Sequence, residues 1–63
     1  MMSNKYIVTR FIENSVMLLQ EIKGRKNCVL IIKRYKSFEL NNVIVEQIKS
    51  RNIKLFFEKG SDK

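Results

Sequence analysis

The chain contains no histidine, no proline and no tryptophan, and has one cysteine, Cys28, and one aspartate, Asp62. Each absence removes a class of chemistry. Without histidine, the commonest acid–base group and transition-metal ligand is gone. A single cysteine permits no intramolecular disulfide and no ligand set for structural zinc. At the head of the apolar run CVLII, it reads as a small core hydrophobe. The glutamates, at positions 13, 21, 39, 46 and 58, have no paired spacing suited to a carboxylate dyad or a metal site. Gly24 and Gly60 are the only glycines, so there is no glycine-rich phosphate loop. The segment KGRKN likewise lacks the second glycine of a Gly-x-x-Gly clamp. We therefore expect a protein that is not an enzyme and holds neither cofactor nor metal. No apolar run approaches the roughly 18 residues of a membrane span, and MMSNKYIVTR has no apolar signal-peptide core. With a free thiol, a reducing, cytoplasmic setting is the expectation.

What the chain does have is positive charge. Thirteen Lys and Arg against six Asp and Glu give a net charge of +7 on 63 residues. This balance favours an anionic partner, whether nucleic acid, a phospholipid surface or an acidic protein. Hydrophobic content of 44% argues against disorder. The length allows a single domain, residues 1–63, with a core over about 5–58 and frayed ends at 1–4 and 60–63. A domain this small buries only about 60% of the surface its unfolded chain exposes. With no disulfide or metal to supplement it, self-association as a homodimer is expected.

The apolar spacing gives the order of elements. Lys5 to Val8 reads as a first strand. From Phe11 to Ile22 the spacings 11-18-22 and 12-16-19 trace one face of a helix, with Lys23 favourable to its dipole and Gly24 at a left-handed C-cap. Thr9, Asn14 and Ser15 each offer a cap for its start. Cys28 to Ile32 is β-branched and apolar at every position, a strand expected to be covered on both faces and to run to about Arg34 or Tyr35. Ser37 offers an N-cap for a second helix from Phe38 to Arg51, Asn52 a left-handed stop, and Ile53 to Phe57 a third strand. The result is an α/β domain, β-α-β-α-β, with a three-stranded, mainly parallel sheet and right-handed crossovers. The alternative is α+β, β-β-β-α-β, with Ser15–Lys23 and Asn27–Tyr35 forming an antiparallel hairpin. In the parallel case, strand order 1-2-3 leaves one sheet face bare, whereas order 2-1-3 puts one helix on each face.

The parallel reading sorts the cations into two poles. At the C-terminal end of the strands lie Arg10, Lys33, Arg34, Tyr35, Lys36, Ser37 and Lys59. Ligands of open α/β sheets bind at this end, where helix amides point outward. Ser37 and the amides after it are placed to hold a phosphate between Arg34 and Lys36, with Tyr35 available to stack on a base. The second pole gathers Lys23, Arg25, Lys26, Lys49 and Arg51, with Lys54 beside them. Two functions fit. The first is a small nucleic-acid-binding protein for RNA or single-stranded DNA, since no helix carries a polar recognition face. The second is a small effector or inhibitor, of the phage or mobile-element accessory type, docking on an acidic protein.

The succession from Leu18 to Phe57 of helix, basic turn, apolar strand, Arg- and Ser-bearing loop, helix and strand resembles the middle of a serine-recombinase catalytic domain. YIVTR is similar to that family's first strand. No serine directly follows Arg10 and no acidic residue follows the middle strand, so neither the family nor its residues are carried over.

Overall fold

Three segments rich in Val, Ile and Phe alternate with two that carry helix formers behind an asparagine, and the backbone follows that alternation. The computed structural model describes residues 4–58. The expected fraying at 1–3 and 60–63, and Lys59 of the first pole, lie outside them. The elements are β1 (Asn4–Ile12), α1 (Ser15–Lys23), β2 (Cys28–Tyr35), α2 (Asn42–Ser50) and β3 (Ile53–Phe57). The sheet is parallel throughout, with order β1-β2-β3. The expected α/β fold is present, and the antiparallel hairpin is not.

Two boundaries differ from expectation for physical reasons. Phe11 and Ile12 belong to β1 rather than to α1, pairing with Arg34 and Tyr35 after a register shift between Val8 and Phe11. The shift keeps Ile12 on the helix side, where it is fully buried. Asn4, expected to be loose, opens the same strand. Helix α1 then starts behind Asn14, whose Oδ1 accepts from the Met17 amide at 3.0 Å. Helix α2 starts behind Asn41, whose Oδ1 accepts from the Ile44 amide at 3.0 Å, so neither Ser37 nor Phe38 belongs to it. Gly24 has φ −92° and is not left-handed. The left-handed residues are Asn27 and Asn52, both at φ 55° and each directly ahead of a strand.

The two helix–strand units repeat one plan. Each has an asparagine cap, a nine-residue helix, a lysine in its last turn and a left-handed asparagine. In each, an i,i+4 pair ties the helix end to the turn: Arg25 to Glu21 at 2.7 Å, and Arg51 to Gln47 at 2.7 Å. The units meet where the Asn27 amide donates to the Arg51 carbonyl (2.8 Å) and the Asn52 side-chain amide donates to Asn27 Oδ1 (2.9 Å). This repetition escapes a reading of the sequence because QEIKGRKN and EQIKSRN differ by one inserted residue, a reversed Gln–Glu order and a glycine in place of serine.

With strands in sequential order, right-handed crossovers place both helices on the same side of the sheet. Leu18 and Ile22 of α1 and Ile44 of α2 pack there on Val8, Ile12, Cys28, Leu30, Ile32 and Ile53. Tyr35, Phe38 and Phe57 close the core at the C-terminal end of the strands. The other side of the sheet has no covering layer among the described residues. The expectation that Cys28 to Ile32 is covered on both faces is therefore corrected: Cys28, Leu30 and Ile32 are buried, whereas Val29 and Ile31 are half-exposed.

Candidate nucleic-acid interface

The strand-end pole is only partly assembled. Arg10 turns toward the helices and bonds Glu21 (Nε–Oε1 3.2 Å). Tyr35 is occupied internally: its ring lies 3.9 Å from that of Phe57 and 4.5 Å from that of Phe38, centroid to centroid, and its hydroxyl donates to the Phe38 carbonyl at 2.8 Å. It is a core-closing aromatic rather than a platform for a base. Ser37 is exposed in the loop before α2, five residues short of the helix, so no helix amides follow it to cradle a phosphate. The amide nearest that role, Ile44, is taken by Asn41. Lys33, Arg34 and Lys36 remain exposed cations at this end.

The second pole is largely structural in its arginines. Arg25 bonds Glu21 and lies 4.5 Å over the Tyr6 ring, while Arg51 Nη1 donates to the Arg25 carbonyl at 3.4 Å. Lys23, Lys26 and Lys49 are exposed. The Glu21 carboxyl is held by Arg10 and Arg25, and its pKa is shifted. Burial pushes it up, but hydrogen bonds and charge from Arg25 and then Arg10 outweigh burial, leaving it below its ordinary value of 4.5. A depressed folded-state pKa means that this group's contribution to stability is present above the unfolded value and is lost as pH falls through the folded one. Unfolding midpoints in urea are accordingly expected to drop as pH falls below the ordinary glutamate value of 4.5 and through the lower folded-state one. Glu21→Gln should flatten that slope, and an unchanged slope would refute the assignment.

A third set of residues, not singled out by the sequence, shares the bare face. Strand alternation and register set it in rows. The first row is Lys5–Val29–Lys54 and the second Ile7–Ile31–Phe56. Lys33 follows, its Nζ 3.3 Å from Glu58. Next, beyond the register shift and so outside the strict alternation, is the pair Phe11–Arg34. The residues that follow them, buried Ile12 and core-packed Tyr35, lie on the helix side, and the Arg34 guanidinium is 5.7 Å from the Phe11 ring centroid. Ile7 is 55% exposed, Phe56 54% and Phe11 41%. An apolar belt with an aromatic at one edge thus lies between two bands of cations. Four cations, Lys5, Lys33, Arg34 and Lys54, stand against Glu58, which is engaged with Lys33. A concavity of about 360 Å³, lined by Asn27, Cys28, Val29, Asn52 and Lys54, opens at the Lys54 end of the face. The signal for this face is the period-two pattern of IKLFF and KYIV. It becomes readable only once the strand order puts both helices on the other side.

Among the described residues, no three His, Cys, Asp or Glu side chains converge as metal ligands, and no helix is long and apolar enough to cross a membrane. Comparison with protein-family models, with curated proteins and with solved structures returns no match.

Proposed function

We propose that this protein binds single-stranded nucleic acid, RNA or single-stranded DNA, across its bare sheet face. The observation that carries this reading is the row pattern: exposed Phe56 and Phe11 with Ile7 and Ile31 between cations at Lys5, Lys54, Lys33 and Arg34. Unpaired bases present flat apolar surfaces to aromatics, and their phosphates seek lysine and arginine. This is the combination by which proteins hold single strands without reading sequence. A duplex hides its bases and would leave the apolar belt unused. Lys33 and Arg34 carry over from the strand-end pole, Lys36 extends their band, and Arg10, Tyr35 and Ser37 have no role in contact.

Four phosphate contacts at about 0.7 released counterions each give a log–log salt slope near −3 for a single strand. Fluorescence anisotropy with an unstructured oligonucleotide should yield that slope, with Phe56→Ala weakening binding by roughly fivefold to a hundredfold through lost stacking. A flat salt response would sink the proposal. A second reading rests on a separate observation, that parallel sheets are nearly always covered on both faces. An acidic protein with an apolar centre would cover this one. Capture of such a partner from lysate after nuclease treatment, combined with no oligonucleotide binding, would favour that reading instead.

A further inference from the structure

The two edges of the sheet are not alike. Edge strand β1 has a register shift between Val8 and Phe11 and carries Lys5 and Arg10, features that discourage pairing with another chain. Edge strand β3, IKLFF, has no shift against β2, no proline and one charge within it. The Glu58 amide donates to the Ile32 carbonyl at 2.8 Å. By strand alternation, Lys54, Phe56 and Glu58 turn their backbone groups toward β2, and Ile53, Leu55 and Phe57 turn theirs outward.

We infer that two copies of this chain join edge to edge through antiparallel pairing of β3 about a twofold axis at Leu55, making one six-stranded sheet. The register follows from the residues. With Leu55 opposite its own copy, Ile53 faces Phe57 of the second chain, and all three outward-facing residues form hydrogen-bonded pairs, about six bonds in all. Their side chains lie on the helix side, apolar against apolar. On the bare face, Lys54 of each chain falls opposite Phe56 of the other. That is a cation beside an aromatic rather than beside another cation, so the twofold sets no like charges directly opposite one another, the two Lys54 side chains lying on the wider diagonal, despite the net charge of +7. A face-to-face dimer is the poorer arrangement, because stacking two bare faces sets cation rows against cation rows. The pairing also makes the two bare faces continuous, but it does not depend on what those faces bind.

The test is association in the absence of nucleic acid. Sedimentation equilibrium should give a dimer at high micromolar concentration, with slow hydrogen exchange at the amides of Ile53, Leu55 and Phe57 that is lost on dilution. Phe56→Lys places lysine opposite Lys54 at both symmetry-related positions and should weaken dimerisation about tenfold. Adding Lys54→Glu to that variant should restore it. Both side chains are exposed, and circular dichroism confirms that each variant is folded. A monomer at high micromolar concentration overturns the inference. So does a dimer in which the three amides stay unprotected, or one indifferent to the charge swap.

Discussion

Replacing Lys5 and Lys54 together by glutamate is expected to lower affinity for a single-stranded oligonucleotide by about two orders of magnitude near 0.1 M salt. Each lost phosphate contact forfeits the release of about 0.7 counterion, worth roughly fivefold at that salt, so two losses give about 25-fold. The two new carboxylates then repel the phosphates they face and supply the remainder. The informative control is Lys23→Glu with Lys49→Glu. That pair likewise takes the net charge from +7 to +3, each Lys→Glu change removing two charges, but both positions lie in the last turns of the helices. If binding depends on the bare face, the control keeps most of its affinity while the face variant loses it. Equal losses in both would mean that net charge alone attracts the polyanion and that the row pattern has no part in it. Arg34→Glu with Lys36→Glu should be damaging mainly through Arg34, because Lys36 extends the cation band beyond the last row.

The second large effect concerns stability. Leu30 is fully buried in the central strand, between Tyr6 and Leu55 in register. Truncating such a leucine to alanine costs about 2 to 5 kcal/mol, the removed methyl groups and the cavity both contributing. A domain of this length has roughly 3 to 9 kcal/mol of stability in total. Leu30→Ala is therefore expected to remove a large share of that stability, lowering the urea midpoint and the melting temperature read by circular dichroism. Its neighbour Ile31 points to the other side of the sheet and is only half-buried. Ile31→Ser should cost about 1 kcal/mol or less, the sum of a small loss in burial and a small loss in strand preference. The contrast between adjacent residues is a direct measure of how one-sided the core is. A large penalty at Ile31 would show that another surface covers it.

The alternation of elements was legible because it rests on local patterns: the apolar run at Cys28 to Ile32, the helix formers of residues 17–21, and the β-rich close at Ile53 to Phe57. Parallel pairing followed from that alternation. The boundaries were less legible where two patterns overlapped. Phe11 and Ile12 fit the helical stripe by spacing, but the irregularity in β1 keeps them in the sheet, and nothing local in VTRF announces it. Ser37 and Asn41 are both acceptable caps, and Tyr35 decides between them: its ring and hydroxyl hold Phe38 as loop, leaving Asn41 to start the helix. That aromatic cluster joins residues from three segments and has no local signature, which is why Tyr35 looked available. The bare face was hidden for a different reason. Its cations come from β1, β2 and β3, and they become neighbours only through the strand order and the register.

The repeated helix–turn–strand plan has a consequence for how such a chain could be enlarged. Each unit supplies its own start signal, its own turn and one strand, and leans on its predecessor through the strand ladder, the shared core and the turn-to-turn bonds of Asn27, Arg51 and Asn52. A third copy grafted in tandem would set its strand alongside β3, lengthening the scaffold without redesign of what precedes it. It would also occupy the border at which two molecules are inferred to meet, so growth within one chain and pairing between chains become mutually exclusive uses of the same five residues.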